Sequence, residues 1–253
     1  EEDVARMLEV VGVASIDELI ERTVPDAIRD KSPIAIGSSK TERGTLDYLR
    51  HMASRNKVFT SMIGMGYYGT KTPSVVLRNV LEHAGWYTAY TPYQAEISQG
   101  RMEALMNFQQ MVVDLTGMEL ANASLLDEGT AVAEAMAMAH RIAVSKSNRF
   151  FISEDIHPQT LAVLLMRAKA FGFELIIGDP FKDLPDKDLF GVLIQYPSSS
   201  GAVQDIKQFI DTSHSLNALV IVASDLMALC VLNPPGEMDA DIVVGSAQRF
   251  GVP

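Results

Sequence analysis

The sequence predicts an α/β protein in which helices cover both faces of a mostly parallel sheet. Short runs rich in β-branched and aliphatic residues occur at 150–153, 174–177, 191–195, 219–223 and 241–245. Stretches of helical character at about 130–144, 158–171 and 203–216 separate several of these runs. Such an alternation is typical of parallel strands joined by helical crossovers. We therefore expect a doubly wound sheet domain at 55–253.

An acidic helical arm is predicted to precede this domain. Apolar residues at helical spacing form a stripe within residues 1–30, and Pro25 follows the second of two helices. The stripe consists of Met7, Leu8, Val11, Ile16, Leu19 and Ile20. We assign 1–54 to the arm and a crossing loop, and we expect the arm to pack on another half or subunit.

Three more helices are predicted before the sheet, near 46–54, 74–83 and 100–116. Gly85 is expected to end the second and Gly117 the third. The turn-like segments around them contain Tyr where exposed loops usually have Asp, Asn, Ser or Lys. These tyrosines are Tyr67, Tyr68, Tyr87, Tyr90 and Tyr93. Because a tyrosine ring can both stack and form hydrogen bonds, we interpret these loops as the lining of a site.

The composition excludes several classes of function. The chain has 253 residues and a formal net charge of -11, and no basic stretch suggests a nucleic-acid surface. Cys230 is the single cysteine, so no internal disulfide is possible. No apolar run approaches the length of a transmembrane helix. Four histidines lack metal-ligand spacing, so we predict no metal site. They are His51, His83, His140 and His214.

The ends of the predicted strands supply candidate site residues, because ligands of parallel sheets bind beyond the carboxyl ends of the strands. This rule places 155–157, 196–200, 224–225 and 246–248 along one edge. By residue type alone, Asp225 is more commonly a turn or cap carboxylate, and His157 before a proline is more commonly a turn residue. For each of these two residues, the structural role and a role in ligand binding both remain open at this point.

Several segments in order resemble one known family. They are VGVASIDELIERTVPDAIR at 11–29, the loops and helices of 63–134, HPQT at 157–160, LIQYPSSSG at 193–201, ASDLMALCVLNPPGE at 223–237 and DIVVGSAQRFGVP at 241–253. The chain resembles the glycine dehydrogenase (decarboxylating) family, the P-protein of the glycine cleavage system. The likeness is to the first half of its long single-chain form, whose two homologous halves use the fold-type-I pyridoxal-phosphate scaffold. We interpret the chain as a fragment or as the ordered part of a longer one.

The resemblance implies a degenerate cofactor pocket. In the second half of the family, the Schiff-base lysine lies in a His-Lys-Thr-Phe segment, and Gln248 occupies that position here. Asp225 would face the pyridine nitrogen and His157 would stack on the ring. Glu128, Gly129 and Thr130 open a helix where phosphate would bind, but the acidic pair Asp127 and Glu128 favours plain helix capping. No catalytic set is therefore complete in this chain.

The same resemblance suggests that two loops contribute to the active site of a partner half. The candidate residues are Tyr67, Tyr68, Tyr90, Tyr93, Gln94, Glu96, Ser98 and Gln99. The alternative for the second loop is a cap on the following helix, with Ser98 as the N-cap. The alternative for the first loop is core packing.

By resemblance, the parent enzyme decarboxylates glycine on pyridoxal phosphate and passes the aminomethylene group to the lipoyl arm of the H-protein. The cofactor would be held by the homologous lysine-bearing half, fused or separate. The assembly would be a homodimer of the full chain or a heterotetramer, in the bacterial cytoplasm or the mitochondrial matrix. The alternatives are a free-standing enzyme with its own lysine beyond residue 253, or a non-catalytic regulatory or scaffolding paralogue with a fold-type-I domain.

Overall fold

The computed structural model describes residues 1–32, 34–88 and 91–251. The chain divides into two compact units, Glu1–Phe59 and Thr60–Pro253. The domain boundary expected after residue 54 stays a prediction. The first unit contains helices α1 (Glu2–Val11), α2 (Ile16–Thr23) and α3 (Glu42–Ser54). The Ser15 side chain caps α2 by accepting a hydrogen bond from the Glu18 amide. No residue of these three helices is buried.

The second unit is built on a five-stranded parallel sheet, which confirms the predicted fold class. Its strands are β1 (Arg149–Ser153), β2 (Glu174–Gly178), β3 (Gly191–Tyr196), β4 (Leu219–Ser224) and β5 (Ile242–Val244). The order across the sheet is β2-β1-β3-β4-β5, and every neighbouring pair is parallel. The chain therefore leaves β1 on one side for β2 and then crosses to its other side for β3.

Helices pack on both faces of the sheet, because alternate strand residues point to opposite faces. On one face, Phe150 and Ile152 pack with residues of α7 (Glu128–Ile142) and α8 (Pro158–Phe171). On the other face, Phe151 packs with Phe209 and Ile210 of α9 (Lys207–Ser215). These five side chains are at most 2% exposed, so two separate apolar clusters sandwich the sheet.

The helical segment before α6 differs from the prediction of one helix at 74–83. It comprises α4 (Ser74–Val76), a π-helical turn (Leu77–Leu81) and then α5 (Ala84–Tyr87), ahead of α6 (Gln99–Thr116). Gly85 does not end a helix but lies inside α5, because His83 Nδ1 caps α5 by accepting a hydrogen bond from the Gly85 amide at 3.1 Å. Gly117, with φ of 70°, ends α6 as predicted.

Two kinds of feature are absent from the described residues. None of the helices there is long and apolar enough to cross a membrane. Likewise, no group of three or more His, Cys, Asp or Glu side chains within 1–32, 34–88 and 91–251 is arranged to hold a metal ion.

Candidate functional site

A polar cleft lies beyond the carboxyl ends of the strands, close to the point where the strand order reverses at β1 and β3. Open α/β sheets bind their ligands at such switch points. The cleft has a volume of about 40 Å³. Its lining is drawn from the ends of four strands, the start of α7 and one loop before α4: Gly66, Tyr68, Glu128, His157, Gln195, Pro197, Ser224, Asp225, Ser246 and Arg249.

The two acidic residues at the start of α7 have different roles. Asp127 is the N-cap and accepts a hydrogen bond from the Thr130 amide at 2.7 Å, which lowers the pKa of its carboxyl group. Glu128, the second acidic residue, lies in the first turn of α7, and its side chain lines the cleft. Gly129 is buried, and a Cβ there would lie 3.3 Å from Val163. Neither Gly129 nor Thr130 lines the cleft.

Glu128 has a largely buried carboxyl group that accepts a long hydrogen bond from Gln195. Its side chain is 17% exposed, and Gln195 Nε2 donates to its Oε1 at 3.3 Å. Burial raises the pKa of Glu128, and the charge of Asp225 adds to the rise, while the hydrogen bond from Gln195 opposes it. His157 Nε2 lies 4.0 Å from the same oxygen. Burial lowers the pKa of His157, although Asp155 and Asp225 act in the opposite direction.

Asp225 is engaged by an arginine that was given no role from the sequence. Arg249 Nε donates to Asp225 Oδ1 at 3.2 Å, and the Met227 amide donates to the same oxygen at 3.0 Å. The guanidinium of Arg249 also lies over the ring of Tyr68, 4.6 Å from its centroid. The side chains of Asp225 and Arg249 are 22% and 23% exposed. The carboxylate therefore already has a cationic partner within the chain.

A tight turn at 64–68 covers His157. Gly66 has φ of 82°, and a Cβ there would lie only 3.0 Å from His157 Nε2, so both its backbone conformation and this contact favour glycine. Gln159 Nε2 donates to the Met65 carbonyl at 2.7 Å. Gln248 Nε2 donates to the Tyr68 carbonyl at 3.2 Å. Gln248 thus lies beside the cleft and holds the turn over it.

The segment after β3 supports His157 from its other side. His157 Nδ1 and Ser199 Oγ are 3.2 Å apart. The amide and hydroxyl of Ser200 donate to the Asp155 carboxylate at 3.0 and 2.5 Å. Burial would raise the pKa of Asp155, but hydrogen bonds from Ser198 and Ser200 lower it overall. These contacts fix the ring of His157 but form no Ser-His-Asp relay, since the aspartate binds a different serine.

The loop candidates are not gathered in the main cleft. Tyr68 lines it, whereas Tyr67 is 60% exposed. Tyr90 lies outside the described residues. Tyr93 is 90% exposed, and Gln94, Glu96 and Gln99 are also exposed. Ser98 is 7% exposed and lines a second cleft of about 500 Å³, together with Trp86 and Arg101. It occupies the N-cap position of α6 without a side-chain capping bond.

Two residues of the cleft lining, Gln195 and Arg249, lie outside the segments that the sequence placed at this edge of the sheet. A usable signal existed for Gln195. It is a polar residue near the end of an otherwise apolar strand and is 4% exposed, and buried polar side chains are uncommon in such positions. Arg249 gave no such signal, because only the folded chain brings it to Asp225.

Comparisons with known proteins identify relatives along the whole chain. The family model of the glycine cleavage system P-protein matches residues 1–253. The glycine dehydrogenase (decarboxylating) of Nostoc sp. is 56% identical over 251 residues, which are 99% of this chain and 26% of that protein. Glycine dehydrogenase (decarboxylating) 2 of Pseudomonas putida is 59% identical over 247 residues, 98% of this chain and again 26% of the relative. The chain therefore spans about a quarter of the length of these relatives.

A solved structure agrees with this result. A crystal structure of glycine decarboxylase (P-protein) of the glycine cleavage system, in inhibitor-bound form, matches with a TM-score of 0.89 at 34% identity. The match covers 100% of this chain and 58% of that chain. The parallel sheet with its flanking helices is thus the fold of the P-protein, as the sequence predicted.

Proposed function

Because the chain belongs to the glycine cleavage system P-protein family and corresponds to its amino-terminal half region, we propose that it is the lysine-less half of a glycine-decarboxylating enzyme. In this proposal a homologous lysine-bearing half binds pyridoxal phosphate and glycine and delivers the product to the lipoyl H-protein. The present chain shapes the interface and the approach to that active site. The observation that carries the proposal is Gln248, at the position that the resemblance assigns to the Schiff-base lysine.

The residues of the cleft do not fit covalently bound pyridoxal phosphate. Gln248 has an amide, which cannot form an imine, and the chain has no lysine after Lys207. Asp225, the expected partner of a pyridine nitrogen, is occupied by Arg249. Gly66 packs against the imidazole of His157, where a Cβ would lie 3.0 Å from Nε2. We therefore assign no reaction step to the cofactor within this chain.

The start of α7 adds an electrostatic obstacle. A phosphate group binds well at a helix N-terminus when free amides and the helix dipole face it. Here Asp127 already accepts the hydrogen bond of the Thr130 amide, and the Glu128 carboxyl group lies at the edge of the cleft. Two acidic side chains near a dianion would oppose its binding. This agrees with a half that has lost its own cofactor.

The 91–99 loop is the part that we assign to the partner half. Its side chains Tyr93 and Glu96 are exposed among the described residues. A hydroxyl and a carboxylate held next to the start of α6 can orient a substrate and bind a developing charge when a second surface closes over them. Tyr67 is a further candidate for this role, since it is exposed beside the turn at 64–68.

Cofactor mapping tests the proposal. The full-length protein that contains this chain is mixed with pyridoxal phosphate, its visible absorbance is recorded, and the imine is reduced with borohydride before peptide mass analysis. We expect the pyridoxyl group on a lysine outside residues 1–253. Gln248→Lys alone should not add a second labelled lysine, because Arg249 and Gly66 still occupy the contacts that the cofactor needs.

Two outcomes would contradict the proposal. A near-stoichiometric adduct on one lysine of this chain would mean that the cofactor is held without the expected lysine. Efficient labelling of the introduced lysine in the Gln248→Lys protein would mean that Arg249 and the 64–68 turn do not block the cleft. Purification without any lysine-bearing half would favour a scaffolding paralogue instead.

A further inference from the structure

Two buried polar atoms of the cleft have no hydrogen-bond partner within the described part of the chain. They are Gln195 Oε1 and Ser224 Oγ. Both residues lie at the carboxyl ends of the adjacent strands β3 and β4, and both line the cleft. Native proteins rarely leave buried polar atoms without a hydrogen bond, so a polar solute or water is expected to form hydrogen bonds with these two atoms. Each is more than nine-tenths buried, which leaves the cleft as the place where that solute can bind.

The cleft offers hydrogen-bond acceptors for more donors than the described residues supply. Gln195 Oε1 is an acceptor, and the Ser224 hydroxyl can accept as well as donate. Glu128 receives one hydrogen bond, from Gln195 Nε2 to Oε1, so its second carboxylate oxygen is a further acceptor. A primary ammonium group has three N–H donors. It could therefore give one hydrogen bond to each of these three side chains.

The charge of the cleft favours the same ligand. Glu128 and Asp225 are two carboxylates, and Arg249 supplies one guanidinium, which is bound to Asp225. Burial lowers the pKa of His157, which disfavours a positive charge on the imidazole. One net negative charge remains once Glu128 is ionised, and Arg249 is directed towards Asp225. A single positive charge beside Glu128 would balance the site.

The size of the cleft restricts the ligand. A volume of about 40 Å³ holds about three water molecules. This is enough for an ammonium ion, for methylammonium or for the amino end of glycine, whereas a bulky side chain would meet the turn at 64–68. Gly66 lines the cleft beside His157, and Arg249 lines it beside Asp225.

We propose that this cleft binds a small primary ammonium group, held by Glu128, Gln195 and Ser224. The proposal rests on the proposed function only in that the cleft must be free of pyridoxal phosphate. It assigns a ligand to a cleft that has lost its cofactor contacts. Free ammonium, a small alkylamine and the amino group of glycine share the required chemistry, and they can be distinguished by direct titration.

The protonation of Glu128 gives the site a pH dependence. Burial raises the pKa of this carboxyl group, and the groups that face it are Gln195 from β3, His157 from the loop before α8 and Asp225 from the end of β4. An ammonium group needs the ionised carboxylate as its partner. Affinity should therefore rise as the pH rises through the pKa of Glu128, and it should be lost below that pKa.

Calorimetric titration of the full-length protein with ammonium, methylammonium and glycine, at constant ionic strength, tests the site. Potassium chloride is the control for a cation without N–H donors. We expect saturable binding of at least one ammonium ligand, with Glu128→Gln weakening it about tenfold or more, because a charged hydrogen bond is lost. Ser224→Ala should weaken it a fewfold. Glu134→Gln, on the same helix but paired with Arg167 outside the cleft, should leave it unchanged.

The outcomes separate the sources and the alternatives. Because the lysine-bearing half also binds glycine, only binding that Glu128→Gln weakens is assigned to this cleft. Such binding of methylammonium but not of glycine indicates a free amine, and such binding of both indicates an amino acid. Equal binding of potassium, equal affinity in the Glu128→Gln and wild-type proteins, or no saturable binding would overturn the proposal. Ser224→Ala decides the matter if Glu128→Gln does not fold. Cofactor content is measured on the same samples, so pyridoxal phosphate found on this chain would contradict the proposed function separately from these results.

Discussion

Glu128 is the residue at which burial and charge conflict most directly. Its side chain is 17% exposed and has one hydrogen bond, to Gln195, while Asp225 adds a second negative charge nearby. Because burial raises its pKa above the ordinary value, the folded chain binds the proton more tightly than the unfolded chain does. The resulting stability is fully present below the ordinary pKa of a glutamate and is lost as pH rises through the folded-state pKa.

Glu128→Gln should therefore raise the melting temperature at neutral pH. The amide keeps nearly the same shape but carries no charge to bury, and the difference from wild type should vanish below about pH 4, where both side chains are neutral. Thermal melts at several pH values measure this. Glu134→Gln, at an exposed position of the same helix, is the control and should change the melting temperature little at any of these pH values. A neutral-pH melting temperature below that of wild type would contradict the assignment of Glu128 as a strained carboxyl group.

Some of the cleft residues could be located from the sequence and others could not, for a physical reason. Asp225 and His157 could be placed on one edge of the sheet because each follows a strand, and the ends of parallel strands meet there. Arg249 could not be placed in the same way. Its partners, Asp225 and Tyr68, lie far from it in sequence. These contacts form only when β4, β5 and the 64–68 turn come together, so no periodic pattern in the sequence predicts them.

At the scale of elements, the strands were easier to predict than the short helices. Each strand of the sheet is a run of mainly apolar residues between helices that cover both faces, so its composition alone marks it. The region of α4 and α5 does not lie between two such layers. There, His83 Nδ1 accepts a hydrogen bond from the Gly85 amide and so starts a new helix where a continuous one was expected. Local hydrogen bonds of this kind decide helix boundaries that propensity does not.

The loop at 91–99 gives a prediction about activity. Tyr93→Phe and Glu96→Gln should lower glycine decarboxylation by the full-length enzyme about ten- to hundredfold, because each removes a hydrogen bond to a charged group worth ~1.5–3 kcal/mol in the transition state. Neither substitution should lower the melting temperature, since both side chains are exposed. Turnover is measured on assembled enzyme beside thermal melts.

Glu103→Gln is the matched control for this loop. Glu103 is also exposed, but it lies on α6 after the loop has ended, so its substitution should leave turnover near that of wild type. Reduced stability with normal turnover in the Tyr93→Phe and Glu96→Gln proteins would instead assign the loop to helix capping.

At the scale of the whole molecule, the chain spans about a quarter of its relatives' length, and it exposes apolar surface in its first unit. Met7, Val11 and Ile16 are 60%, 56% and 53% exposed, and no residue of α1 or α2 is buried. Exposed apolar stripes of this kind mark association surfaces in proteins. We therefore predict that the stripe on these two amphipathic helices packs on another half or subunit in the assembled protein.

Deleting residues 1–30 should weaken assembly of the full-length protein while leaving the circular dichroism of the sheet domain largely intact. A shorter perturbation is the double substitution Met7→Gln and Ile16→Gln, which keeps the chain length and removes two apolar contacts. Each buried side chain of this size contributes ~1.5–3 kcal/mol, so the dissociation constant should rise at least about tenfold. Glu9→Gln, at an exposed polar position of α1, is the control. Sedimentation across a concentration series measures the effect, and a deletion that unfolds the domain but leaves association unchanged would place the arm in the core instead.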